Sequence, residues 1–234
     1  MKKEEYIAMH FLKSLGKGLL TYEPCGRSKP PDFLLASEIA VEVRRLNQNR
    51  FALGKVQGLE EAYYSLTKAM TQVFKEFDTL QPVERNWVVL EYKRPIGRLK
   101  FIKNNTRQAI NMYLENRKPI PTDFRVSSNV RIRIIPSLHM STKRFRIGVD
   151  SDEDAGGWVI PMYIENINHC IREKDEKVLP CYKNYDHWWL ILVDTILCIG
   201  PEEYQKVINQ MFKSELFDKV IVIGYESKTK LFEF

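Results

Sequence analysis

Hydrophobic and polar positions divide the chain into alternating helical and extended stretches. Near the start, Tyr6, Ile7, Met9, His10, Phe11, Leu12 and Leu15 include an i, i+4, i+5, i+8 apolar face, the spacing of an amphipathic helix. Gly16 and Gly18 end it. Leu19–Glu23 is a short strand candidate, followed by a turn-rich link holding Pro24, Gly26, Ser28, Pro30 and Pro31. Asp32–Ala36 and Glu38–Leu46 predict a hairpin. In its second arm Ile39, Val41 and Val43 alternate with Ala40, Glu42 and Arg44, so Glu42 and Arg44 share one side of the strand. Helical spacing then runs from Lys55 to Phe77 through Leu59, Ala62, Leu66, Ala69, Met70 and Val73.

Farther on, Trp87–Tyr92 predicts a strand and Lys100–Asn116 a basic amphipathic helix. Asn129–Pro136 and Arg144–Val149 alternate Arg with Ile or Val, as strands do. Gly156-Gly157 marks a turn, Ile160–Lys177 a helix and Trp188–Leu197 a strong strand. Glu202–Lys213 follows Pro201, which suits a first helical turn, and Lys219–Tyr225 reads as a last buried strand. This order predicts an α/β fold, a mixed central sheet flanked by helices. Without repeats or a clear linker, residues 1–234 are expected to form a single domain. Pro119 and Pro121 are its best internal break.

Composition adds bounds to this picture. With 44% hydrophobic and 28% charged residues the chain is of ordinary globular make-up, which excludes collagen-like and disordered classes. At 234 residues it can bury a core without staples. Its 36 Lys+Arg against 30 Asp+Glu leave a charge of +6, which permits a nucleic-acid partner without requiring one. Cys25, Cys170, Cys181 and Cys198 form no CxxC pair, so reduced thiols in a cytoplasmic setting are expected. The charged N-terminus is unlike a signal peptide. No run approaches the ~18 apolar residues of a membrane span.

Phosphate-binding glycine loops, the G-x-S-x-G elbow and H-E-x-x-H are all missing. The stretch that carries chemistry is Pro31-Asp32 at the start of one hairpin arm and Glu42-Val43-Arg44 within the other, with Glu4 and Glu5 on the preceding helix. Mg²⁺ is held by one or two carboxylates together with water and phosphate oxygens. Asp32 and Glu42 can converge across a hairpin to do this. A cation two residues after Glu42 lies on the same face and can steady charge developing on phosphorus. The plain alternatives are a turn residue after prolines for Asp32 and a solvated strand position for Glu42. Which holds depends on whether a following helix covers that face.

Helix, strand, Pro-Asp, hairpin, Glu-x-base, helix and strand, over residues 1–95, resemble the core of the PD-(D/E)XK nuclease superfamily, the restriction-endonuclease-like fold. Residues 96–234 fit as the rest of the sheet and elaborations. The resemblance implies a Mg²⁺- or Mn²⁺-dependent nuclease in which Asp32 and Glu42 bind metal and Arg44 takes the lysine position. Glu23 or Glu5 would supply an accessory carboxylate. A nucleic-acid partner follows, DNA before RNA, with no membrane association and a homo-oligomer left open. Arg44 departs from the pattern, because arginine stays charged and cannot shuttle a proton at neutral pH. Three readings follow: water activated mainly by metal, a lysine arriving from elsewhere with Lys55 or Lys68 as candidates, or a fold that lost catalysis and kept binding. The second-helix Gln-xxx-Tyr pattern is also imperfect, with Gln57 present but Glu at 61.

Arg94, Arg98, Lys100, Lys103 and Arg107 cluster around the start of the basic helix, where cations oppose the macrodipole, and are candidates for phosphate contact. Arg131, Arg133, Arg144 and Arg146 lie on two strands as a second basic stripe. Solvated charge is the competing reading for both groups. Asp150–Asp154 reads as a solvated acidic loop lacking calcium-loop spacing. Strand alternation puts Trp188 and Trp189 on opposite faces, which leaves one of them free for a partner. An interaction protein on an unrelated α/β sheet is the remaining alternative.

Overall fold

The computed structural model describes residues 1–52, 55–116, 119–155, 159–196 and 199–234, the side chains of 52 and 55 excepted. In chain order the elements begin with α1 (Lys3–Ser14), β1 (Leu20–Tyr22), β2 (Phe33–Leu35), β3 (Ile39–Leu46), β4 (Asn49–Ala52) and β5 (Lys55–Gly58). They continue with α2 (Leu59–Lys75), β6 (Val83–Tyr92), α3 (Leu99–Glu115), β7 (Thr122–Ser127), β8 (Val130–Ser141) and β9 (Phe145–Asp152). Then come α4 (Val159–Val178), a 3₁₀ turn (Leu179–Asn184), β10 (His187–Asp194), α5 (Pro201–Ile208), β11 (Lys219–Gly224) and β12 (Lys230–Glu233). The mixed α/β class is as expected. The Gly156-Gly157 turn, Leu197 and Cys198 lie outside the described residues.

The chain divides into two compact units, Met1–Asn49 with Trp158–Phe234, and Arg50–Gly157. The sequence predicts a single domain with residues 1–95 as its core, and those residues fall in both units, divided after Asn49. The stretch after residue 49 leaves the first unit, and the chain returns to it only at α4. Local pattern could not reveal this, because each element inside the second unit has the same periodicity as an element that continues the first.

The first unit is built on one sheet of strand order β1-β2-β3-β10-β11-β12. β1, β2 and β3 form an antiparallel meander. β3, β10 and β11 run parallel, and β12 closes the far edge antiparallel to β11. Parallel neighbours need crossovers, and helices on both faces provide cover for the sheet. This explains the unbroken apolar run of β10. Trp188, Leu190 and Leu192 face one way, with Ala40, Leu46 and α4 residues Ile167, Cys170, Ile171 and Val178. Trp189, Ile191 and Val193 face the other way, with Val41, Val43 and α1 residues Ile7, Ala8, Phe11 and Leu12. Each such side chain contributes roughly 1.5–3 kcal/mol by leaving water. Both tryptophans are buried, so neither is the exposed partner contact that strand alternation suggested.

The second unit has a four-stranded sheet of order β7-β8-β6-β9, in which β9 is parallel to β6 and the other pairs are antiparallel. The amphipathic helices α2 and α3 cover one face. Leu66, Met70 and Val73 of α2 and Ile102, Ala109 and Ile110 of α3 pack on Val88, Leu90, Ile132 and Ile134. The sequence reading missed β4, β5, β7 and β12, which are short or irregular in pattern. Among the described residues no helix is long and apolar enough to cross a membrane.

Candidate active site

The β2–β3 register pairs Phe33 with Val41, Leu34 with Ala40 and Leu35 with Ile39. Carried one residue toward the hairpin mouth, it sets Asp32 opposite Glu42, and cross-strand partners have Cβ atoms about 4.5–5.5 Å apart. The odd-numbered residues of β3 enter the core under α1, so Ala40, Glu42, Arg44 and Leu46 face α4. Asp32 is fixed there by its own hairpin, with Oδ2 accepting the Val43 backbone N–H at 2.8 Å. Glu42 is wholly buried. An isolated carboxylate would not stay ionised in such a place, so a buried charge needs partners.

The partners are two lysines one helical turn apart on α4. Lys174 Nζ lies 2.6 Å from Glu42 Oε2 and 3.7 Å from Asp32 Oδ2. Lys177 Nζ lies 2.8 Å from Glu42 Oε2, 3.1 Å from Oε1 and 3.8 Å from Asp32 Oδ1. Two carboxylates and two ammonium groups thus balance in charge. Burial pushes the Lys177 ammonium toward neutrality, but the hydrogen bond to Glu42 and the charges of Glu42 and Asp32 outweigh it and raise its pKa. Lys177 is the more open of the two, with 34% of its side chain exposed against 8% for Lys174.

Arg44 sits on the expected face and is paired there. Its Nη2 pairs with Glu173 Oε2 at 3.1 Å and its Nη1 donates to the Arg45 carbonyl at 3.3 Å. His169 Nε2 lies 3.7 Å from the same Glu173 oxygen, and burial lowers the pKa of its ring. The position two residues after Glu42 is therefore part of a peripheral ion pair. Of the lysines the sequence offered instead, Lys68 is exposed on α2 in the second unit, and the Lys55 side chain lies outside the described residues.

Neither accessory acid joins Asp32 and Glu42. Glu5 belongs to α1, on the opposite face of the sheet, where its Oε2 accepts the Lys2 backbone N–H at 2.7 Å and the Tyr22 hydroxyl at 2.8 Å. Burial raises the Glu5 pKa, and these hydrogen bonds with the Lys2 charge more than reverse the effect, leaving it lowered. Glu23 has a left-handed backbone with φ of 46°, which ends β1. Its N–H still donates to the Asp32 carbonyl at 2.9 Å, while its carboxylate acts on the Tyr22 hydroxyl and helps raise that pKa, after burial and Glu5. Among the described residues no group of three or more His, Cys, Asp or Glu side chains is placed to hold a metal ion. The carboxylates that do meet are Asp32 and Glu42, oxygen donors of the type hard cations take, and both Glu42 oxygens accept from lysine ammonium groups.

The candidates on the second unit separate by burial. Arg94 is buried and both terminal nitrogens of its guanidinium are committed. It meets both Asp152 oxygens at 2.7 Å, Asp154 Oδ2 at 3.2 Å and the Leu59 carbonyl at 2.6 Å. It is a structural tie, and the acidic loop is its counterpart. Arg107 forms a bidentate pair with Glu76 at 2.6 Å for both bonds, and Lys103 donates to Gln72 at 2.5 Å. Arg98 and Lys100 are exposed beside Phe101, around a surface pocket of about 430 Å³.

Sequence reasoning missed Lys174 and Lys177, and one signal for the first was present. Tyr163, Ile167, Cys170, Ile171 and Val178 trace the buried stripe of α4, and Lys174 falls within it. A lysine on the core side of an amphipathic helix requires a buried anion. No protein-family model, curated protein or solved structure matches the chain.

Proposed function

We propose that the chain is a metal-dependent nuclease that hydrolyses nucleic-acid phosphodiester bonds at Asp32 and Glu42, with Lys174 holding Glu42 and Lys177 in the role first given to Arg44. The observation that carries this reading is the meeting of Asp32, Glu42 and Lys174 on one face of the meander. Three antiparallel strands, a parallel fourth strand beside the third, and helices on the two faces support the resemblance to the restriction-endonuclease-like core. On this reading Arg50–Gly157 interrupts the core between its third strand and the helix that follows.

In this mechanism Asp32 and Glu42 would hold Mg²⁺ or Mn²⁺, which would supply Lewis-acid polarisation of a phosphate oxygen and of the attacking water. Lys177, with its raised pKa, stays an ammonium at neutral pH and serves as a hydrogen-bond donor to a phosphoryl oxygen. Lys174 fixes the Glu42 carboxylate, and together the two lysines offset the charge of the carboxylate pair before any cation arrives. The test is cleavage of labelled single- and double-stranded DNA and RNA in Mg²⁺ or Mn²⁺. The wild type is expected to cut, and Asp32→Asn, Glu42→Gln and Lys174→Met are expected not to. Cleavage that survives Asp32→Asn and Glu42→Gln would overturn the site.

A second reading is a nuclease-fold protein that binds nucleic acid or a protein partner without cutting. It is favoured by one observation, that ammonium groups occupy both oxygens of Glu42. Calorimetric titration with Mn²⁺ separates the two, since this reading expects no heat of metal binding.

A further inference from the structure

We propose that the open face of the four-stranded sheet in the second unit is a binding platform for single-stranded DNA. This deepens the nucleic-acid reading above and names where the chain is gripped.

The helices α2 and α3 cover one face of this sheet, and the register fixes what the other face carries. One cross-strand row is Arg125, Arg131, Glu91 and Ser151. The next is Asp123, Arg133, Val89 and Val149, and the third is Ile135, Trp87 and Arg146. Arg85, two residues before Trp87, lays its guanidinium 5.2 Å from the centre of the indole. Arg131, Arg146 and Val149 are exposed. The face thus has a half-buried apolar centre of Trp87, Val89 and Ile135, with arginines distributed around it.

Two acids, Glu91 and Asp123, stand among four arginines in these rows, and Arg85 beside Trp87 is a fifth. Asp123 is paired with Arg133 at 2.7 Å. A second copy of the same face would repel this one, whereas a polyanion is complementary to it. The apolar centre then selects the kind of polyanion. A duplex turns its phosphates outward and its base faces inward, leaving Trp87 and Val89 nothing to contact. A single strand offers both phosphates and base faces, and sheets of this kind bind it by stacking and charge together. Trp87 is held ready by β9. Gly148 lies against its ring so closely that a Cβ there would stand 3.1 Å from Cε3, a contact tight enough to press on the indole. Deoxyribose also suits Val89 and Val149 better than ribose, whose 2′-hydroxyl would lose its hydrogen bonds against them.

The experiment is fluorescence anisotropy of the full chain with a labelled 12-nucleotide oligo(dT) in EDTA, so that no cleavage intervenes. The triple variant Arg131→Gln, Arg133→Gln, Arg146→Gln changes exposed side chains only. It is expected to weaken binding at least tenfold and to lower the salt slope by about two, at roughly 0.7 per phosphate contact. Trp87→Phe is expected to weaken binding severalfold and to remove most of the quenching of intrinsic fluorescence. Arg98→Gln with Lys100→Gln, the exposed phosphate-contact candidates at the start of α3, is the competing arm and is expected to lose less than the triple variant. Weaker loss from the triple variant than from this competing pair overturns the proposal, as does equal or tighter binding of duplex DNA or of oligo(U). Binding here without cleavage in Mg²⁺ would remove the hydrolase reading alone. Cleavage that is indifferent to the triple variant would remove this platform alone.

Discussion

Lys174 reaches Glu42 with a 2.6 Å contact between Nζ and Oε2, although the two residues are 132 positions apart. Both are buried, and Lys174 holds a place in the α4 stripe that periodicity would give to a hydrocarbon. Removing one member of a buried pair strands the other, at a cost of about 3–5 kcal/mol, whereas replacing both with apolar groups is often neutral. Lys174→Met is therefore expected to destabilise the protein by about 3 kcal/mol, toward the low end because Lys177 remains beside Glu42. The double variant Glu42→Met, Lys174→Met should recover most of that loss. Urea denaturation of the two variants decides, and equal losses in both would refute a coupled pair.

Arg94 makes the same argument for the second unit. Its side chain is 2% exposed and tied to Asp152, Asp154 and the Leu59 carbonyl. Lysine carries the charge but not the planar fork that meets both Asp152 oxygens. Arg94→Lys is expected to lower stability by about 2 kcal/mol and Arg94→Ala by about 3–5 kcal/mol. Nucleic-acid affinity of the folded variants, measured at low temperature, should be unchanged. A tenfold loss of affinity in a folded Arg94→Lys protein would return this residue to the binding surface.

The parts of the site that were legible in the sequence are the local ones. Strand alternation put Glu42 and Arg44 on one face, and the hairpin brought Asp32 to Glu42, because both relationships are settled within eleven residues. The lysines were not legible, because the helix that carries them follows an inserted unit of over a hundred residues, Arg50–Gly157. The first helix after the hairpin was α2, which belongs to that insertion and packs on another sheet. The contacts of Arg44 and Glu5 were hidden for a different reason. Each has a partner that the motif order does not show, Glu173 for Arg44 and Tyr22 with Lys2 for Glu5.

Two shifted groups set opposite ends of the pH profile. Glu5 has a folded pKa below its ordinary 4.5, so its contribution to stability is complete above that value. It is lost as pH falls through the lowered pKa. Lys177 has a folded pKa above its ordinary 10.5, so its contribution is complete below 10.5 and is lost as pH rises through the raised value. Urea midpoints should therefore fall below about pH 4.5 and above about pH 10.5. Glu5→Gln should flatten the acid limb alone, and Lys177→Met the alkaline limb alone. If each variant left its own limb unaltered, the linkage to these two residues would be wrong.

The last expectation separates Arg44 from Lys174 by activity. Arg44 meets Glu173, a half-exposed partner, and exposed ion pairs contribute about 0–1 kcal/mol. Lysine at 44 can keep that pair, so Arg44→Lys should change the cleavage rate less than about fivefold. Lys174 touches the proposed metal-binding carboxylate itself, and removing a preorganised charge at such a site costs about 10²–10³-fold. Lys174→Met should fall by that amount in single-turnover cleavage. Lys174→Arg should not rescue it, because a guanidinium is larger than an ammonium and the position is buried. The pair of variants carries the argument, since a motif read in its usual register predicts that lysine at 44 raises activity and that Lys174→Met changes little. A protein much faster with Arg44→Lys yet indifferent to Lys174→Met would place the functional cation on β3 and leave α4 with a structural role.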